Sequence, residues 1–227
     1  MAADSLHVLL LAAGAATRFG SAKQAARLDG QPLLSLMLSR AHELAGSAVS
    51  VVLGAHAAEL VLLVGASNAS VLINRHWQEG IASSIRLGLE HLPGSCDGVL
   101  VMLADQVQIG TQELRQLASV WRRQPQFAAA AQYGGGVGGP AIFPRNAFRA
   151  LLQLRGDRGA QGWLRANDTR VVGVPMPQAA TDIDTPEDLA RLVAQSVAVA
   201  QADTQAAGAS GELTGAEVSR VLGIEPP

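Results

Sequence analysis

Leu10-Leu11-Ala12-Ala13-Gly14-Ala15-Ala16-Thr17-Arg18-Phe19-Gly20-Ser21-Ala22-Lys23 carries an apolar strand straight into a small-residue loop that holds one Arg and one Lys. Ala12, Ala13 and Gly14 put no bulk in front of the backbone, so main-chain N–H groups can face phosphate oxygens. Arg18 can grip two oxygens at once, and Lys23 adds a compact point charge. The stretch reads as a cradle for a nucleoside triphosphate. Neither G-x-x-x-x-G-K-[ST] nor G-x-G-x-x-G follows the first strand, which argues against a kinase-type or dinucleotide-type site. Taken alone, Gly14 and Gly20 are equally consistent with plain turn residues beside a solvated Arg and Lys.

The segments that follow alternate in type. Val8–Leu11 and Val49–Leu53 are short Val- and Leu-rich runs, as parallel strands buried on both faces read. Between them, Leu33, Leu34, Met37, Leu38, Ala41 and Leu44 recur at helical spacing, with Pro32 suited to the first turn. Further helices are predicted near residues 57–64 and 81–92, and further strands near 71–73 and 99–103. Thr111 reads as an N-cap, with Glu113 in the first turn and Leu114, Leu117 and Trp121 on one face. The run Gly134 to Pro140 predicts a break in regular structure before a strand at Ala141–Phe143. Helical segments near 147–154 and 161–166, a last strand at Val171–Val174, and Thr185-Pro186-Glu187-Asp188 as a helix opening complete the order.

This alternation predicts an α/β fold of three layers around a mostly parallel, Rossmann-like sheet, with ligands bound beyond the carboxyl ends of the strands. Residues 1–195 are expected to form that domain. Residues 196–227, dominated by Ala, Gln, Ser, Thr and Gly, are expected to be a partly disordered tail.

A 227-residue chain that is 48% hydrophobic has room for one well-filled α/β domain and not for a second full one. Its 17 basic and 19 acidic residues are scattered, leaving no basic stripe for a nucleic acid or an anionic membrane. Cys96 is the only cysteine, so an intrachain disulfide and a cysteine-based zinc site are both excluded. It reads as an inert surface-loop thiol. The apolar run from Val8 to Ala16 follows Asp4, lacks a basic leader and is too short to span a bilayer. A reduced, cytoplasmic setting is therefore expected.

Asp105 follows the strand that ends near Ala104, which would set its carboxylate at the sheet edge opposite Arg18 and Lys23. Magnesium takes hard oxygen donors, commonly one or two carboxylates plus phosphates and water, and Asp105 suits that role. Asp182 and Asp184 could complete the shell, although Asp184 could as well only begin a helix. The five His residues show no metal-ligand spacing, and His76 alone falls near the proposed site. Trp77 and Trp163 are read as ordinary packing in preference to stacking on a ligand. Ser83 and Ser84 are read as nucleoside contacts or helix caps in preference to nucleophiles.

These segments together resemble the MobA-like nucleotidyltransferases, and among them the molybdenum cofactor cytidylyltransferases, over residues 6 to 192. Leu11 to Lys23 is similar to the family's L-A-A-G-x-S-x-R-x-G-x-x-K, and Asn74 to Ile85 to its N-x-x-x-x-x-G-x-x-x-S segment. Asp105-Gln106 resembles its D-x-P, and Asp182 to Asp188 its closing D-I-D-T-P-E-D. Gly138-Gly139-Pro140 and Gly156-Asp157-Arg158-Gly159-Ala160 fall where the cytidylyltransferases have G-H-P and G-D-x-G-A. Ala16 stands for the usual Ser, Val107 for the Pro after the metal aspartate, and Gly139 for His.

The resemblance implies a GT-A-like nucleotidyltransferase fold and transfer of CMP from CTP to the terminal phosphate of molybdopterin, with Mg²⁺ and release of pyrophosphate. Arg18, Lys23 and Asp105 would be catalytic, and Asp105, Asp182 and Asp184 would hold the metal. Leu11, Ala12, Ala13, Gly14, Asn74, Gly80 and Ser84 would bind the nucleotide. Gly138, Gly139, Pro140, Gly156 and Asp157 would face the acceptor. A molybdoenzyme receiving the cofactor is a further implied partner. Two other readings stay open: transfer, including from GTP, to another phosphorylated acceptor such as phospholactate or a sugar phosphate, and a non-catalytic chaperone that holds the cofactor for a molybdoenzyme.

Overall fold

Seven consecutive residues, Leu6–Ala12 (β1), are all buried, which a strand achieves only when both faces of its sheet are covered. A computed structural model describes residues 5–65 and 67–195 and shows what covers them. The chain separates into two compact units, Met1–Thr185 and Pro186–Pro227. In the second, residues 186–195 are helical, with Thr185 just ahead of them as the sequence suggests. The expected tail at 196–227 lies outside the described residues.

The first unit is built on a sheet of Leu6–Ala12 (β1), Val49–Leu53 (β4), Ser70–Ile73 (β5), Gly98–Leu103 (β6), Ala128–Tyr133 (β7), Gly136–Pro144 (β8) and Val171–Pro175 (β9). Arg27–Leu28 (β2) and Gln31–Pro32 (β3) form a separate small hairpin. The sheet order is β5-β4-β1-β6-β8-β7-β9. Every neighbouring pair is parallel except that β8 runs antiparallel to both β6 and β7. The helices are Leu33–Ala45 (α1), Ala57–Val64 (α2), Ile81–Glu90 (α3), Thr111–Arg123 (α4), Phe148–Leu151 (α5) and Gln161–Ala166 (α6).

Strand alternation splits the core between the two faces. Leu9, Leu11, Val52, Val99, Val101, Ala141 and Phe143 pack in one cluster with Ile85 and Leu89 of α3, Leu151 of α5 and Leu164 of α6. Against the opposite face, α1 buries Leu33, Leu34, Met37, Leu38 and Ala41, and α4 buries Leu114, Leu117, Ala118 and Trp121. Both contact the sheet and each other. The expected three-layer α/β architecture is what the chain forms. Among the described residues no helix is long and apolar enough to cross a membrane.

Four local expectations are corrected. Gly134 to Pro140 is not loop throughout: only Gly134 and Gly135 turn, and from Gly136 the backbone is strand, because Gly136, Val137 and Gly138 pair with Tyr133, Gln132 and Ala131 of β7, with β6 joining only from Ala141. Gly110, not Thr111, caps α4, and its N–H donates to the Glu113 carboxylate at 3.0 Å. Cys96 is buried, not on the surface, and its thiol donates to the Gly98 carbonyl. The helix expected over 147–154 is also shorter, with four α-helical residues behind a 3₁₀ turn.

Candidate active site

Because β1 and β6 are neighbours in parallel, the loops that leave their carboxyl ends meet at one edge of the sheet. The loop after β1 brings Arg18 and Lys23, and the loop after β6 brings Asp105. A third segment joins them where the Ile183 N–H donates to the Asp105 carbonyl, setting Asp184 alongside. Lys23 Nζ lies 2.6 Å from Asp105 Oδ2 and 3.0 Å from Asp184 Oδ1, while Arg18 Nη2 lies 2.8 Å from Asp184 Oδ2. Four charged residues from sequence-distant segments thus form one network. The Lys23 side chain is 12% exposed and that of Arg18 71%, so one cation is seated and the other is at the rim.

Burial alone would pull the Lys23 ammonium down, but the Asp105 carboxylate, followed by Asp184, outweighs it and holds the pKa above the usual lysine value. Asp182 moves the other way from an ordinary carboxylate. Burial first, then the charges of Asp105 and Asp184, raise its pKa, against relief from the Gln106 amide and Lys23. Asp105 Oδ1 is buried with no hydrogen-bond partner. Among the described residues no group of three or more His, Cys, Asp or Glu side chains is arranged to hold a metal by itself. The donor set instead offers a buried, unpartnered hard oxygen on Asp105 beside the carboxylates of Asp182 and Asp184, which fits an ion that draws the rest of its shell from phosphate and water.

Behind this network is a cavity of about 410 Å³. Leu11, Ala12, Ala13 and Gly14 supply one wall largely as backbone, and Gly80, Ser84 and Trp77 supply another. Gln24, a residue the sequence reading did not single out, holds the first wall. Its amide donates to the carbonyls of both Ala12 and Gly14 at 3.2 Å. His56 also reaches the loop, with Nε2 at 3.0 Å from the Ala15 carbonyl, whereas His76 is exposed beside Glu79. Ala16 adopts φ 51°, a left-handed conformation that costs a residue with a Cβ and is met where surrounding structure imposes it.

Asn74 is not at the cavity wall. It is buried, and its amide donates to Ser83 Oγ at 2.8 Å and Ser84 Oγ at 2.9 Å, so it positions Ser84 from behind. Ser83 ties the turn together with its hydroxyl, whose single proton lies between the Gly80 carbonyl at 2.8 Å and the His76 carbonyl at 3.0 Å. Gly80 has φ 94°, and a Cβ there would run into Asp157 and Gly156. The glycine therefore lets the segment 156–157 close against the start of α3.

That closure forms a second cavity of about 420 Å³, which shares Ile81, Leu103 and Asp157 with the first. Gly139 and Asp182 line it, but Gly138, Pro140 and Gly156 line neither cavity. Trp163 packs edge-on against Phe143, ring centroids 5.6 Å apart, as expected for a packing role.

Residues 8–171 match the family described as the MobA-like NTP transferase domain. The chain belongs to the MobA-like NTP transferases. Purine catabolism protein PucB from Bacillus subtilis is 28% identical over 192 residues, covering 79% of this chain and 92% of that protein. A probable molybdenum cofactor guanylyltransferase from Nostoc sp. is 24% identical over 192 residues, covering 82% and 90%. Rv0371c from Mycobacterium tuberculosis H37Rv has the same fold, with TM-score 0.75, 26% identity and coverage of 85% of this chain and 99% of that one. The same protein is also known as a complex with manganese, which aligns with TM-score 0.69 at 25% identity over 83% of this chain and 98% of that one. This MobA-like chain is a nucleotidyltransferase, and the meeting of Arg18, Lys23, Asp105 and Asp184 at the edge of its nucleotide-sized cavity accords with that chemistry.

Proposed function

We propose that the chain transfers CMP from CTP to the terminal phosphate of a molybdopterin-type acceptor and releases pyrophosphate. The observation that carries the transfer chemistry is the bridging of Asp105 and Asp184 by Lys23 beside a cavity with the small-residue segment Ala12 to Gly14 in one wall. An acceptor phosphate oxygen forms a bond to the α-phosphorus of the triphosphate. The bond from that phosphorus to the oxygen bridging to the β-phosphate breaks, and the electron pair leaves with pyrophosphate. Both reactants are held in place, so most of the acceleration comes from alignment and fixed charge.

Lys23 and Arg18 turn from the carboxylates toward the polyphosphate and neutralise the leaving group. The backbone of Leu11 to Gly14 and the Ser84 hydroxyl orient the nucleoside. Asp105, with Asp182 or Asp184, would hold Mg²⁺, which when bound supplies charge against the reacting phosphate oxygens. A phosphate acceptor is already ionised at neutral pH, so no general base is required. A structurally similar protein solved with manganese supports a divalent metal, and a relative named as a probable molybdenum cofactor guanylyltransferase supports the acceptor class while its name points to a guanine nucleotide as donor.

A second reading, another phosphorylated acceptor, is favoured by one observation: a Cβ built on Gly139 meets nothing closer than Gln106 Oε1 at 3.8 Å, so this wall is roomier than one bearing His. The test incubates purified protein and Mg²⁺ with molybdopterin and either CTP or GTP, following pyrophosphate and the dinucleotide product. Turnover with CTP is expected, and Asp105→Asn should lower kcat by about 100-fold or more. Absence of turnover with both triphosphates would overturn the reading.

A further inference from the structure

Sheet edges usually carry something that stops a second chain from adding to them, such as a charge or proline in the strand, a bulge or a covering element. The sheet here has β9 at one edge and β5 at the other. Strand β9 follows Arg170, ends on Pro175 and exposes only that proline. Strand β5 carries no charge, proline or bulge. Its ladder with β4 is continuous, and no charged residue stands between Glu59 and Arg75. Among the described residues, the large apolar side chains left exposed are Val61 and Leu62 of α2 and Val71 and Ile73 of β5. All four belong to the edge strand and the helix that contacts it.

The backbone of this edge is half used. The Asn74 N–H donates to the Leu53 carbonyl at 2.8 Å, so by alternation Ser70, Leu72 and Asn74 turn their main-chain groups to β4. Val71 and Ile73, between them, turn theirs outward. Two copies laid antiparallel about a two-fold axis at Leu72 bring Val71 of each opposite Ile73 of the other. Each such pair exchanges both of its hydrogen bonds, and the exposed β-branched side chains pack across the joint. Arg75, the nearest charge in sequence, then falls opposite Ala69, so no like charges meet there. On α2, Leu63 turns to α1, where it lines a cavity with Leu38 and His42. Val61, about 200° round the helix from Leu63, turns the other way, to the open edge. The two-fold sets both α2 helices on one face of the joined sheet, so Val61 is covered as well.

We infer that β5 is a docking edge for a second copy of this chain, paired antiparallel through Val71 and Ile73 so that two seven-stranded sheets join into one. A second copy is the occupant because the edge complements itself. Its outward donors meet its own acceptors, its exposed apolar residues meet each other, and it holds no charge to repel a copy or to attract a partner of opposite sign. The interface is isologous and closes at two copies. Because β5 is only four residues long, the joint is small and the association reversible, in the micromolar range. No residue of α2 or β5 lines either cavity of the candidate site, so the inference stands apart from the proposed reaction.

The experiment is sedimentation velocity on the full chain from about 1 to 500 µM, for wild type, Val71→Pro and Ile73→Lys. Wild type should move from the 23.5 kDa monomer toward twice that mass as concentration rises. Val71→Pro removes an outward N–H that β4 does not use, and Ile73→Lys sets a charge in the joint. Each should weaken the dimer about tenfold or more, while melting at low concentration within a few degrees of wild type. Leu72→Cys tests the register. Cysteines facing each other across the axis are within disulfide reach, so mild oxidation should link this variant into a dimer. Wild type should not link, because its single cysteine, Cys96, is buried. Amide hydrogen exchange at Val71 and Ile73 should slow as the dimer forms. Should the proline or cysteine variant fail to fold, the lysine variant and the exchange rates decide. A monomer at every concentration, association that runs past two copies, a dimer that the folded variants leave intact, or a Leu72→Cys dimer that does not cross-link overturns the inference. So does a monomer in which those two amides are already protected, since another segment then covers the edge.

Discussion

Arg18 and Lys23 carry the same charge and share a carboxylate partner, yet their surroundings assign them different work. Arg18 is largely solvated, so its pairing with Asp184 contributes little to folding. Arg18→Ala is expected to leave unfolding free energy within about 0.5 kcal/mol of wild type in urea titrations. The same variant should weaken CTP binding by about tenfold in calorimetry, because a bidentate hold on phosphate is lost. The loop alone did not decide the role of these residues, since Gly14 and Gly20 read equally well as turns beside a solvated Arg and Lys; it was the aspartate just past a later apolar strand that made their meeting legible. Gln24 and Asn74 were another matter. Gln24 bonds to main-chain carbonyls and Asn74 to two serines, and such partners are named by the folded backbone and not by any spacing in the chain.

Runs of glycine read as punctuation, and in β8 that reading failed because Gly136 to Gly138 pair with β7, an antiparallel ladder that outweighs a poor local propensity. The strand still has a weak point where Gly138 passes under the Tyr133 ring. Gly138→Val should cost about 1–3 kcal/mol by overpacking, seen as a lower urea midpoint with an unchanged slope. Strand β1 offers a pH-dependent counterpart. His7 is buried with Nε2 2.9 Å from Ser50 Oγ on β4, and desolvation lowers its pKa below the usual 6.5. Between that lowered value and 6.5 the unfolded chain binds more protons than the folded one. The contribution is therefore complete above pH 6.5 and is lost as pH falls through that window. Melting temperatures recorded from pH 7.5 down to about 5 should decline in wild type and decline less in His7→Gln. Cys96 was misjudged for the same reason that His7 was given no role: burial of a single polar side chain is decided by which strand lies next to it.

The parallel placement of β1 beside β6 makes the site a property of the first unit's sheet; the alternation of strands and helices predicted ligands beyond the carboxyl ends of the strands, but not which strands are neighbours. What that alternation does not contain is the state of the charges before any ligand arrives. Asp184 has Lys23 on one oxygen and Arg18 on the other, and Lys23 also holds Asp105 Oδ2. A divalent cation binding by itself must displace Lys23 or be repelled by it. A triphosphate that draws both side chains onto its oxygens frees the carboxylates and adds oxygen donors of its own, so nucleotide and metal should each tighten the other by the same factor. Saturating CTP and Mg²⁺ together should raise the melting temperature well beyond the sum of the shifts given by each alone, since binding to the folded state stabilises it by mass action. In Lys23→Met the ammonium that competes with the metal is gone. Manganese titrated without nucleotide and followed by electron paramagnetic resonance should then bind more tightly than to wild type, and the cooperative part of the thermal shift should shrink. Equal manganese affinity of the two proteins, with wild-type shifts that merely add, would show that Lys23 does not stand in for the metal.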